Sequence, residues 1–522
     1  MQTIWWSSRC LLLCFLVAGL LGSGTPTATY AGTTYAEPAN LEQTYAALDS
    51  YLREQLETLG IPGAAVAVVR NGTQVHSAAF GRADDSGRPM TAQTPVLLAS
   101  TSKSLTAIAV MQQVEAGRLR LDEPVQTYLP WFTLDDSRSQ AITVRHLLHQ
   151  ASGMGSRDTA FEASDAQTPE ALEEGVRALA GSPLAGNPGE AFHYASANFN
   201  ILGLLVQTVS GQPFGDYLKE HVFGPLEMVH SHPTRAAARA DNAAAGYSLW
   251  FGSFWRQTDV PAPTAGTPSS TLYASAEDLG HELTALLDGG GYGAARILRP
   301  ESVAAMFEPG VRIDEAKQYA MGWFTRPLVE SADPAAPPVP EEALPLLLEH
   351  QGEWGNSHTY LGMVPSSGLG VALVINANPA AAPSRLKAID TNLLRILHGR
   401  SPVPAVVQED WLQRYSWAVA MGLLLAELLS LWLALRLLLR PHSAGRRTPL
   451  AYAAAALALD AFVLWLCLDY APTRFDTHLF VVVRQFPDVG ISLVPALALA
   501  ILWPVPRTVW LLARMRARPV VA

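Results

Sequence analysis

Ser100-Thr101-Ser102-Lys103 places an amine three residues after a hydroxyl. On a helix, positions i and i+3 share a face, so the Lys103 amine can approach the Ser100 oxygen. A serine hydroxyl is a poor nucleophile until a nearby base takes its proton. If Ser100 opens the helix, the backbone N–H groups of the first turn also favour developing negative charge. The motif alone is weak, because Ser384-Arg385-Leu386-Lys387 repeats it. That second copy lies on the last helix of the unit, has no partners downstream, and reads as surface charge. Ser100 does have downstream partners. Tyr194 stands at the start of a helical run in PGEAFHYASAN, and His350-Gln351-Gly352 is the one His-x-Gly in the chain.

The elements that must position these residues are legible. Residues 41–60 (LEQTYAALDSYLREQLETLG) have a helical pattern stopped by Gly60. GAAVAVVR and TQVHSAAFGRA, joined through Asn71-Gly72, form a hairpin pattern. The residues after Ser100 keep helical spacing as far as Gly117, which suits a C′ position. Residues 169–180, 197–210 and 275–288 read as further helices, residues 346–377 as strands, and residues 383–398 as a last helix. Strands near both ends of one unit predict an α+β architecture, with one antiparallel sheet, a helical lobe and a cleft between them. Residues 329–345 read as an exposed loop. Residues 246–264 read as irregular, with Trp250, Phe251, Phe254 and Trp255 packing under a loop, lining a pocket or resting on a membrane.

With Ser-x-x-Lys at 100–103, Tyr-x-Ser at 194–196 and His-x-Gly at 350–352, the sequence resembles the serine β-lactamase-related family. That family includes class C β-lactamases, D-Ala-D-Ala carboxypeptidases of that type and related esterases. Stretches such as ITVRHLLHQASGM (142–154), TLYASAEDLGHELTALLDGG (271–290), YAMGW (319–323) and HQGEWGNSHTYLGMVPSSGLGVALVINAN (350–378) share the likeness, which covers nearly all of residues 41–398. The resemblance implies a β-lactamase/transpeptidase-like fold and a serine hydrolase. Ser100 would be the nucleophile and Lys103 its activator. Tyr194 would relay protons to the leaving group, with its phenol pKa lowered beside Lys103. His350 and Gly352 would edge the cleft, and the N–H groups of Ser100 and Glu353 would form the oxyanion hole. Two positions depart from the family pattern. Ser196 stands where Asn is usual, so a substrate-amide contact is lost or remade. Ser196-Ala197-Asn198 also spells the Ser-x-Asn of the class A group, although the flanking residues favour the Tyr194 reading. His350 stands where Lys is common, and a neutral imidazole anchors a carboxylate less well than an ammonium. That tilts the expected substrate from β-lactams towards esters, amides or peptides.

Composition divides the chain. It is 49% hydrophobic and 16% charged, an imbalance that comes from the first thirty residues and from those after about residue 415. Residues 10–22 follow Arg9 and mark 1–36 as a signal peptide, cleaved after Ala31 or Ala36, or as a retained signal anchor. A hydrolase domain at 41–400 and a linker at 401–416 precede three apolar stretches of spanning length. These are Trp417–Leu435, Leu450–Leu468 and Ile491–Leu512, giving an all-α transmembrane region at 417–513. Arg436, Arg440, Arg446 and Arg447 separate the first two, and Arg514, Arg516 and Arg518 lie in the 514–522 tail. Basic loops stay cytoplasmic, which predicts a multi-pass cell-membrane protein with its catalytic domain outside and C-terminus inside. Glu427 and Asp460 fall mid-span, where an acid either serves a function or meets a hydroxyl or Arg on another helix.

A net charge of −10 without a basic aromatic stripe argues against nucleic acid as a partner. Cys10, Cys14 and Cys467 all lie in apolar segments, so the central unit has no disulfide framework or cysteine metal site. His146 and His149 read as packing residues and His230 and His232 as loop residues, so neither a metal nor an organic cofactor is expected. The expected partners are a small-molecule or peptide substrate and the lipid bilayer. Three roles fit: a hydrolase of small esters, amides or D-amino-acid peptides, a slowly acylated membrane sensor, or an inactive scaffold.

Overall fold

Asn71 and Gly72 take φ of 49° and 73°, as the two central residues of a type I′ turn must. They join β1 (Gly63–Arg70) to β2 (Thr73–Gly81). The computed structural model describes residues 38, 40–156, 166–332, 339–379, 384–404, 406, 414–439, 447–474 and 478–516. The expected signal at 1–36, Arg440, Arg446, Arg518 and parts of the linker and of the 329–345 loop lie outside the described residues.

Apart from five two-residue strands, the others are β3 (Tyr247–Trp250), β4 (Phe254–Gln257), β5 (Val311–Arg312), β6 (Gln318–Tyr319), β7 (Phe324–Pro327), β8 (Leu346–Trp354), β9 (Ser357–Val364) and β10 (Leu369–Ile375). One sheet runs β2-β1-β10-β9-β8-β7-β6-β5, and its two chain ends meet where Ala64 faces Ile375 in antiparallel register. β1 is buried along its whole length, because both faces are covered. Ala64, Val66 and Val68 pack with α1 (Leu41–Leu59) and the last helix of the unit, α5 (Ser384–Leu397). Ala65, Ala67 and Val69 face the helical lobe, which includes α2 (Ser102–Glu115), α3 (Ser196–Ser210) and α4 (Ala276–Leu287). This is the expected α+β fold. Gly60 ends α1 at φ 63° and Gly117 follows α2 at φ 68°, both in the left-handed region that favours glycine.

Residues 246–264 are more regular than their sequence suggests. β3 and β4 pair as a hairpin, with Tyr247 opposite Gln257, around Phe251 and Gly252 at positive φ. β3 is mostly buried and β4 mostly exposed, so neither shows the alternation that marks a half-buried strand. Within 329–345, Glu330 is buried rather than exposed, because Arg326 binds it at 2.8 Å.

The helices Ser416–Leu437, Ala451–Arg474 and Pro487–Trp510 are long and apolar enough to cross a membrane. The third breaks after Leu502, and Pro504 opens a new helix to Arg516. Asp460 pairs with Arg507, which also donates to the Ser430 hydroxyl at 3.2 Å. The mid-span Asp460 thus finds an Arg partner, and Glu427 is buried as well.

Candidate active site

Ser100 lies in a 3-10 turn, Ala99–Thr101, that runs directly into α2. Ala99 is held at φ 50°, a left-handed conformation that costs a residue with a side chain roughly 1–2 kcal/mol. Contacts from the sheet stabilise the turn. The hydroxyls of Thr359 on β9 and of Thr101 converge on the Leu98 carbonyl at 2.6 and 2.8 Å. Gly352 on β8 approaches the same carbonyl, and a Cβ there would stand 2.1 Å from the Leu98 oxygen and 2.3 Å from Thr359 Oγ1. Only glycine lets β8 lie so close. β7 pairs with β8 only from Leu346 to Glu349, so β8 from His350 onward is free of it beside the Ser100 turn.

Lys103 is fully buried. Its Nζ donates to Ser100 Oγ at 3.1 Å and to the Ser269 carbonyl at 2.8 Å. The same Nζ lies 5.0 Å from the Tyr194 ring centroid and 5.8 Å from that of Phe199. Tyr194 precedes α3 by two residues and is placed by Gln150, itself at φ 55°. The Gln150 backbone carbonyl accepts from His193 N–H at 2.8 Å. Its side-chain oxygen accepts from Ala195 N–H at 2.9 Å and from Asn198 Nδ2 at 2.5 Å. Asn198 is therefore buried and engaged behind the site, while Ser196 is half-buried at the start of α3.

His350 is buried, with its ring 6.3 Å from that of Tyr194. Its Nδ1 lies 2.7 Å from the Gln351 carbonyl, which can only accept, so Nδ1 carries the proton. Nε2 then accepts from the Tyr319 hydroxyl at 3.2 Å. Both ring nitrogens are engaged within the protein. The structure thus brings together Ser100, Lys103, Tyr194, His350 and Gly352, with Glu353 exposed at the next position on β8.

A beta-lactamase family model matches residues 48–393. The chain belongs to the beta-lactamase family. It is 26% identical over 373 residues to Protein flp of Staphylococcus aureus (strain MW2), covering 71% of this chain and 70% of that protein. It is 30% identical over 284 residues to the putative penicillin-binding protein PbpX of Bacillus subtilis (strain 168), covering 54% of this chain and 65% of the relative. Among solved structures, it resembles the octameric penicillin-binding protein homologue from Pyrococcus abyssi. That likeness has a TM-score of 0.57 at 25% identity, covering 69% of this chain and 78% of the other. The D-alanine carboxypeptidase AmpC from Burkholderia cenocepacia shares the fold, with a TM-score of 0.54 at 19% identity, covering 68% of this chain and 99% of that one.

Electrostatics in this beta-lactamase-family site correct one expectation. Burial raises the Tyr194 phenol well above its ordinary value, and a hydrogen bond with Ser100 offsets this only in part. The phenol is not lowered beside Lys103 and holds its proton at rest. Burial, reinforced by the Lys103 charge, pushes His350 down to about 3, so the imidazole is neutral at working pH. Gln150, Ser269, Tyr319 and Thr359 escaped the sequence reading. Gln150 and Thr359 fall inside stretches that look familial, but their partners lie 45 and 261 residues away. The other candidates have structural roles. His146 completes a capping box with Thr143, His149 bonds the Tyr319 carbonyl at 3.2 Å, and His230 and His232 share Asp241. Lys387 of the second Ser-x-x-Lys is exposed on α5.

Proposed function

We propose that this chain is a serine hydrolase that forms an acyl-enzyme on Ser100. The substrate class is a small ester, amide or D-amino-acid peptide, reached from a membrane-anchored extracytoplasmic domain. The observation that carries the reading is the 3.1 Å contact between Lys103 Nζ and Ser100 Oγ at the head of a helix. Tyr194 holds its own proton at rest, which leaves Lys103, once it has given up the proton whose charge bears on His350, to accept the Ser100 proton as Oγ adds to the carbonyl. The N–H groups of Ser100 and Glu353 receive the oxyanion. Tyr194 then protonates the leaving group and regains a proton through Lys103. Water enters and the same groups run in reverse to release the acid. A neutral His350 offers no positive charge to a substrate carboxylate, which favours uncharged esters and amides. Three apolar helices among the described residues, with arginines between the first two and after the third, support an outside catalytic domain.

Stopped-flow hydrolysis of a p-nitrophenyl ester by the full chain in detergent tests this. A burst followed by turnover is expected, with Lys103→Ala slowing the burst by about 100-fold or more. A burst without turnover would make the protein a slowly acylated sensor. Release no faster than in Ser100→Ala would leave a binding or scaffold role.

A further inference from the structure

The chain just ahead of the third span touches the catalytic sheet. Gly355 sits in the turn between β8 and β9, two residues after Glu353. Its N–H donates to Gln485 Oε1 at 3.1 Å in a buried contact. A Cβ on Gly355 would meet the Gln485 backbone oxygen at 2.2 Å, so backbone packs against backbone. Three residues on, the buried Asp488 accepts from Phe251 N–H at 2.9 Å, at the tip of the β3–β4 hairpin. The two contacts form one joint. Ser248 Oγ on β3 donates to the Gly355 carbonyl at 2.6 Å, and Tyr247 N–H donates to the Asn356 carbonyl at 3.1 Å. Gln485 closes the short helix Leu479–Gln485, and Asp488 lies in the first turn of Pro487–Leu502.

Anchoring does not require this arrangement, because a single span on a flexible tether holds a domain to a membrane. A rigid joint fixes the end of β8, the strand that carries Gly352 and Glu353. Tolerance there is small, since Gly352 already packs against Leu98 with no room for a Cβ. We propose that Gln485 is a positioning residue, supported by Asp488. In this reading the membrane bundle is part of the active-site scaffold and clamps the β8–β9 turn so that the Glu353 N–H keeps its place opposite Ser100. The inference rests on the proposed acyl-enzyme and oxyanion roles of Ser100 and Glu353.

The test uses the full chain in one detergent and compares wild type, Gln485→Ala, Gln485→Glu and Gly355→Ala. The readouts are the rate of Ser100 labelling by a fluorophosphonate, kcat and KM on a p-nitrophenyl ester, and Tm. A misplacement of about 1 Å costs on the order of 100-fold, so loss of one clamp contact is expected to slow labelling and kcat by roughly tenfold. KM should change little. Gln485→Glu retains an acceptor for the Gly355 N–H and is expected to restore most of the rate. Gly355→Ala, which pries the joint apart, is expected to match Gln485→Ala. Wild-type rates in folded Gln485→Ala and Gly355→Ala would overturn the proposal. So would a rate loss that follows Tm and is not restored by Gln485→Glu. Absence of labelling in the wild type would instead overturn the hydrolase reading, and this one with it.

Discussion

Replacing Glu282 with Gln should make the protein more stable at alkaline pH. Glu282 lies on α4, is fully buried, and sits near Ser104, the residue after Lys103. Burial lifts its carboxyl from 4.5 to about 8, and the nearby Ser104 hydroxyl offsets this only in part. Below pH 4.5 the group is protonated whether the chain is folded or not. As pH rises, the unfolded chain ionises first, so stability falls until the folded carboxyl also ionises near pH 8. From 4.5 to 7 the gap is 7 − 4.5 = 2.5 units, or about 3 kcal/mol at roughly 1.4 kcal/mol per unit, and by pH 8 it approaches about 5 kcal/mol. At roughly 2 °C per kcal/mol for a domain of this size, that corresponds to a shift of about 6–10 °C. Differential scanning fluorimetry of the full chain in detergent, from pH 5 to 8.5, reads it directly. The Tm of wild type should fall with pH, the Glu282→Gln variant should fall less, and the gap should open above pH 6. A Tm difference that stays constant across this range would refute the reasoning.

Two further outcomes are expected at the site. Gly352→Ala puts a methyl group 2.1 Å from the Leu98 oxygen; it should cost about 1–3 kcal/mol in chemical denaturation and abolish most fluorophosphonate labelling. Because His350 is held near 3, kcat/KM between pH 5 and 7.5 should carry no imidazole inflection, and one near 6.5 that vanishes in His350→Gln would contradict the assigned neutral ring.

The elements that local chemistry specifies are legible in the sequence. Asn71-Gly72 dictates its turn, Gly60 and Gly117 stop their helices, and the order of Ser100, Tyr194 and His350 points to the segments that meet at the site. The features that the sequence hides are imposed from a distance. Ala99 and Gln150 adopt left-handed conformations that neither residue type prefers, because Leu98 and the Tyr194 segment are gripped by partners far along the chain. Spacing predicts a low Tyr194 phenol beside an amine, but burial raises it, and burial cannot be read from spacing. The β3–β4 hairpin is hidden because one strand is largely buried and the other largely exposed. Nothing in the local sequence sets Gln485 and Asp488 apart, and only folding brings them against Gly355 and Phe251.

The assignment of Ser100 as the nucleophile is tested most directly by intact-mass analysis of the full chain after fluorophosphonate treatment, wild type beside Ser100→Ala. One adduct is expected on the wild type, located at Ser100 by peptide mapping, and none on the variant. A folded wild type that takes up no adduct, or an adduct that persists in Ser100→Ala, would contradict the assignment.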